Sequence, residues 1–165
     1  MNRQTRVLAI LLIILAFLPV RADAAKNVSR RQGGFLTFTV RTVGTIYGGA
    51  GGDVVVSVGT LTQGKTTRTV VQISYANAIG TMTLQETAEA IKALDVMRAA
   101  VNKHTTGERV MEFSTGRGLS FGVRQSGDER DMFINIRGLR RCVSLPVSEL
   151  EALKKLLQTA IQNRR

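Results

Sequence analysis

Residues Gly59 to Thr66 match the consensus of a phosphate-binding loop, with two glycines followed by Lys65 and Thr66. In that motif the loop leads from a strand into a helix, whose N-terminal N–H groups face the phosphates. Here the residues that follow, 67–75, alternate β-branched and polar side chains and therefore predict a strand. We interpret 59–66 as a hairpin turn and expect no nucleotide there.

Side chains suited to catalysis or metal binding are scarce. His104 is the single histidine and Cys142 the single cysteine, which disfavours both a metal cluster and an intrachain disulfide. A Ser-His-Asp hydrolase would have to use His104, the single histidine, so it is also disfavoured. Asp128, Glu129 and Asp131 lie in a segment typical of a turn, where carboxylates are ordinarily solvated. We predict no catalytic residue, metal or cofactor, and we expect Cys142 to be a half-buried strand residue.

Basic side chains are abundant instead. The chain has 23 Lys and Arg against 12 Asp and Glu, a net charge of +11. Such a charge favours acidic partners such as nucleic acid, anionic lipid or acidic glycan. Where the apolar residues of a strand face a core, the arginines between them point outward, and two more arginines follow at a turn. The predicted anion-binding residues are Arg124, Arg137, Arg140 and Arg141; the alternative is an ordinary solvated sheet face.

The first residues have the layout of an export signal. Two arginines precede an uncharged run, Val7–Val20, and Ala22 and Ala24 occupy the positions of a signal-peptidase site. The run has 14 residues. Its helical length of about 21 Å is short of the roughly 30 Å of a bilayer core. We expect residues 1–24 to be a cleaved signal peptide and the protein to be secreted or periplasmic. The alternative is an N-terminal membrane anchor.

Residues 25–34 predict a flexible basic tail, and the pattern of a folded domain begins at residue 35. Period-two alternation predicts three strands before residue 76, and we interpret 76–81 as a turn. Thr83-Leu-Gln-Glu86 has the form of a capping box and begins an amphipathic helix that ends near residue 102. The second half predicts further strands over 108–145 and a helix from Pro146 to Gln162.

The predicted fold is one α+β domain over 35–165, with an antiparallel sheet or sheets of six to eight strands covered by two amphipathic helices. The halves 35–106 and 107–165 share the order β-β-β-β-α. A duplication and a single domain with similar halves both explain this. The order resembles that of the Pur-type and Whirly-type domains, which bind single-stranded nucleic acid. The resemblance implies a similar fold. Their role in binding single-stranded nucleic acid is disfavoured here, because this protein is expected to be exported.

The predicted function follows from abundant basic side chains and scarce catalytic ones. We predict a small exported protein that acts as a non-catalytic binding or interaction module for an anionic partner in the periplasm or cell envelope. The alternative is a small secreted enzyme or inhibitor whose site the sequence does not reveal.

Overall fold

The computed structural model describes residues 36–48, 52–103, 107–137 and 142–163. The predicted signal peptide and basic tail therefore lie outside the described residues. The described chain forms eight strands and two helices, in the order β1 (Leu36–Ile46), β2 (Val54–Gln63), β3 (Thr66–Tyr75), β4 (Ala78–Thr83), α1 (Leu84–Val101), β5 (Glu108–Ser114), β6 (Leu119–Ser126), β7 (Glu129–Ile136), β8 (Val143–Pro146) and α2 (Glu149–Gln162).

The strands form two antiparallel sheets of four, each in chain order. Sheet A has the order β1-β2-β3-β4 and sheet B the order β5-β6-β7-β8. The predicted α+β class is confirmed, but the strands are divided between two sheets and do not form one sheet of six to eight. The interpretation of 76–81 as a turn is correct only for residues 76–77, where the chain reverses and Ala76 has a φ of 51°. It is wrong for residues 78–81, which belong to β4.

The hairpin predicted at 59–66 is confirmed, but its turn is limited to Gly64 and Lys65, because residues 59–63 belong to β2 and Thr66 begins β3. β2 and β3 are antiparallel partners, with Gln63 opposite Thr66, and the reversal passes through Gly64, whose φ is 59°. Glycine adopts this left-handed conformation without steric cost. The segment after the turn is a strand of ten residues, so no helix N-terminus faces the loop.

The capping box at the start of α1 is also confirmed. The Glu86 backbone N–H donates to Thr83 Oγ1 at 3.1 Å, and the Thr83 N–H donates to Glu86 Oε2 at 2.7 Å. Helix α2 begins at Glu149 and not at Pro146, because Pro146 is the last residue of β8 and pairs with Asp131. Strand β8 is an edge strand, where a proline without an N–H is tolerated.

The helices connect the two halves of the domain. Helix α2, which follows sheet B, packs on β1, β2 and β3 of sheet A, and α1 contacts strands of both sheets. Leu156 of α2 lies directly over Gly44, so a Cβ at Gly44 would collide with its side chain. The helices also pack on each other, with ion pairs from Arg98 to Glu151 and from Lys154 to Asp95, both 2.6 Å long.

One hydrophobic core therefore serves both halves. The buried cluster includes Val56 and Ile73 of sheet A, Phe121 and Ile134 of sheet B, and residues of both helices. The sheets approach closely at Gly80, where a Cβ would lie 2.8 Å from Leu119 Cδ1. The halves 35–106 and 107–165 share this core, so neither contains a complete one.

Candidate anion-binding surfaces

Two of the four predicted arginines lie on one face of sheet B. We call it the outer face, because the alternate residues Phe121, Val123 and Met132 point into the core. Arg124 on β6 and Arg137 after β7 are both exposed on this outer face. Arg140 and Arg141 lie outside the described residues.

Arg124 is held within a small polar and aromatic cluster. Its guanidinium carbon is 5.8 Å from the centroid of the Phe133 ring, within the range of a cation–π contact. Its cross-strand partner is Asp131, which accepts a hydrogen bond from Ser144 Oγ at 2.8 Å. Arg124 therefore already has an aromatic face and a neighbouring carboxylate, which together reduce its attraction for an external anion.

Phe133 is buried although it belongs to the outer face. It is 7% exposed, because it is opposite Gly122 of β6 and its ring covers that glycine. A Cβ at Gly122 would lie 2.8 Å from Phe133 Cζ and would collide with the carbonyl oxygen of Met111. The glycine thus forms the pocket that accepts the ring.

The outer face of sheet B carries both signs of charge. Glu108 and Glu112 of β5 share it with Glu129 and Asp131 of β7, because each occupies an alternate position in the same register. Asp131 and Arg137 are six residues apart along β7, so the two described arginines are separated by about 20 Å. The structure therefore places Arg124 and Arg137 on one face without bringing them together.

The positive charge of the chain lies mainly outside its described part. The described residues contain 13 Lys and Arg against 11 Asp and Glu, a net +2 of the total +11. Much of the remaining positive charge comes from three short stretches that contain Lys or Arg and no acidic residue: 25–34, 138–141 and 164–165. The described residues thus carry little net charge, and most of the excess lies in these acid-free stretches of the sequence.

A second surface lies at one end of sheet A. We call it the hairpin end; it comprises the β2–β3 turn and the neighbouring part of β1. Strands β1 to β4 contain no Asp or Glu, while Arg41, Lys65 and Arg68 are exposed there. The Arg41 guanidinium donates to the carbonyl oxygen of Asn163, and Asn163 directly precedes Arg164 and Arg165 in the chain.

The hairpin end also carries an ordered set of threonines. Three Thr-Xaa-Thr sequences stand side by side on β1, β2 and β3, in the two cross-strand rows Thr37–Thr62–Thr67 and Thr39–Thr60–Thr69. We call these six residues the threonine grid. All six are exposed or half-buried. They lie on the same face of sheet A as Val58 and Val71, which are buried in the core. Sequence reasoning missed the grid: the repeated Thr-Xaa-Thr was visible in the predicted strands, but its alignment depends on strand register.

Other kinds of site are not evident in the described parts of the chain. No group of three or more His, Cys, Asp and Glu could hold a metal ion there. His104 lies outside the described residues.

The expectation that Cys142 is a half-buried strand residue is wrong, because Cys142 is exposed and precedes β8. Among the described residues no helix combines the length and the apolar character needed to cross a membrane.

Comparisons with known proteins give no relative. No protein-family model, curated protein or solved structure matches this chain.

Proposed function

We propose that this chain is an exported, non-catalytic binding module for an anionic partner in the periplasm or cell envelope. The observation that carries the proposal is the concentration of basic residues in short stretches of the sequence that contain no acids, while the described residues carry a net charge of only +2. Cations concentrated in this way attract polyanions more strongly than cations interspersed with carboxylates. The mature chain on a heparin column should therefore elute well above about 0.15 M salt, where charges are screened within about 8 Å. Elution below that concentration would contradict the proposal.

The four arginines Arg124, Arg137, Arg140 and Arg141 remain the predicted contact residues. The double substitution Arg140→Gln/Arg141→Gln is expected to reduce the slope of log affinity against log salt by nearly two units, because each direct phosphate contact contributes about one unit. The measurement is heparin affinity at several salt concentrations. We expect a smaller effect from Arg124→Gln, because Asp131 lies opposite Arg124 in the sheet.

The matched control removes the same charge from the helices. Lys92 and Lys155 are exposed on α1 and α2, whereas Lys154 is unsuitable because it pairs with Asp95. The double substitution Lys92→Gln/Lys155→Gln should leave the slope nearly unchanged. If both double variants weaken binding equally, the arginines form no site and only the net charge acts.

The proposed cellular location follows from the N-terminal sequence, which has the pattern of a signal peptide. We expect exported material to begin at Ala25, because small residues precede this position in the pattern that signal peptidase cleaves. N-terminal sequencing of the protein from the periplasm or medium measures this directly. An intact Met1 in the membrane fraction would favour the anchored alternative.

The proposed origin of the domain is a duplication of a β-β-β-β-α unit. Two observations support it: each half has the same element order, and each sheet follows the order of the chain. In the shared core, α2 of the second unit packs on sheet A of the first, and α1 contacts strands of both sheets.

A further inference from the structure

The hairpin end of sheet A combines cations with an ordered array of hydroxyl groups. On β1 the column Thr37, Thr39 and Arg41 shares one face, because these residues alternate along the strand. Lys65 lies in the β2–β3 turn at the other end of the threonine grid, about 20 Å from Arg41 along the strands, so the two cations flank the grid. Within β1 to β4 no carboxylate is present to neutralise them, which distinguishes this surface from the outer face of sheet B.

The threonine grid has the spacing of the sheet itself. Neighbouring strands lie about 4.8 Å apart, and same-face residues along a strand about 6.7 Å apart. Six hydroxyls therefore occupy an area of roughly 10 Å by 7 Å. Thr62 and Thr67 hydrogen-bond each other through their Oγ1 atoms at 3.3 Å, whereas no hydrogen bond engages the hydroxyls of Thr60 and Thr69 within the described residues.

We propose that the hairpin end binds an acidic polysaccharide, an inference that rests on the proposed function and names its surface and ligand class. A threonine hydroxyl both donates and accepts, as sugar hydroxyls do, so a row of such groups can bond successive positions of a glycan. Arg41 and Lys65 pair with the carboxylate or sulfate groups of the same polymer.

Nucleic acid is the less suitable polyanion for this surface. Proteins that bind single strands stack bases on aromatic side chains. Phe38 occupies the position between Thr37 and Thr39 and so points to the opposite face of β1. Tyr47, the most exposed large hydrophobic residue described, is 78% exposed but lies beyond the other end of β1. The grid therefore offers hydroxyls and cations without a stacking platform.

The first arm of the test removes the cations. With the mature chain and heparin as the probe, Arg41→Gln/Lys65→Gln should reduce the salt slope by nearly two units. The control Lys92→Gln/Lys155→Gln should change it little. The substitution also removes the hydrogen bond from Arg41 to the Asn163 carbonyl, so circular dichroism and Tm of the variant are measured to establish that the fold is retained. Equal effects of the two variants would overturn the assignment of this surface.

The second arm removes hydroxyls and keeps side-chain shape. Thr60→Val/Thr69→Val should weaken heparin binding about fivefold, because each hydrogen bond contributes modestly, and should change inorganic polyphosphate binding less than twofold. The control Thr42→Val/Thr66→Val alters exposed threonines on the opposite face of β1 and β3 and should leave both probes unaffected. Equal loss with both probes, or with both variants, would overturn the glycan assignment.

The outcomes separate this inference from the function on which it rests. A wild-type chain that does not bind heparin above about 0.15 M salt contradicts the proposed function itself. A chain that binds heparin but is insensitive to both hairpin-end variants retains the function and loses this surface. Tighter binding of a deoxythymidine oligonucleotide than of a heparin oligosaccharide of equal charge would overturn the polysaccharide class in favour of nucleic acid.

Discussion

Residues 35–106, expressed without the second half, are expected to lack a cooperative unfolding transition. In the whole protein α2 packs on β1, β2 and β3, and the fragment would expose that face. Helix α2 contributes the buried side chains Leu150, Leu153 and Leu157 to the shared core. Burial of three such side chains stabilises by roughly 5–9 kcal/mol, which is comparable with the whole stability of a domain, about 5–15 kcal/mol.

Urea titration followed by circular dichroism measures this expectation. The control is the mature chain 25–165, which should unfold in one sigmoidal transition because both sheets share one core. Mixing fragments 35–106 and 107–165 should restore part of that transition by association. A sharp transition in fragment 35–106 alone would mean that sheet A is stable without the helix from the other half.

Gly122→Ala is expected to destabilise the protein by about 1–3 kcal/mol, or more if the backbone cannot shift. The new Cβ would collide with the Met111 carbonyl oxygen and would lie 2.8 Å from Phe133 Cζ. A backbone atom cannot rotate away as a flexible side chain can, so β5 and β6 must separate or Phe133 must leave its pocket. The expected decrease in Tm is about 5–10 °C, measured by scanning calorimetry.

The matched control for this variant is Gly116→Ala. Gly116 has no heavy atom within 4 Å of its Cβ position, so the substitution should change stability by less than about 0.5 kcal/mol. If Gly122→Ala and Gly116→Ala have the same Tm, the close contact between Phe133 and Gly122 does not restrict that position.

Local features of this chain could be predicted from sequence because their causes lie within a few residues. The capping box needs only Thr83 and Glu86 three positions apart. The reversal at Gly64 needs a glycine between two alternating segments. For the same reason the outward position of Arg124 and Arg137 followed from alternation along β6 and β7.

Where local signals were ambiguous, the prediction failed. Strand β4 is only six residues long and contains Gly80, so its alternation is short and its glycine resembles a turn residue. Pro146 suited the first turn of a helix as well as the end of an edge strand. Pairing with Asp131 in β7, which sequence does not reveal, decided between them.

Sequence alone determined the α+β class, the β2–β3 hairpin, the capping box that begins α1, and the excess of positive charge. Only the tertiary structure decided that the strands form two sheets, that α2 covers the sheet of the other half, and that three Thr-Xaa-Thr sequences align as one grid beside Arg41 and Lys65. The physical reason is that turns and caps are short-range interactions, whereas strand register and helix docking depend on how distant residues complete one core.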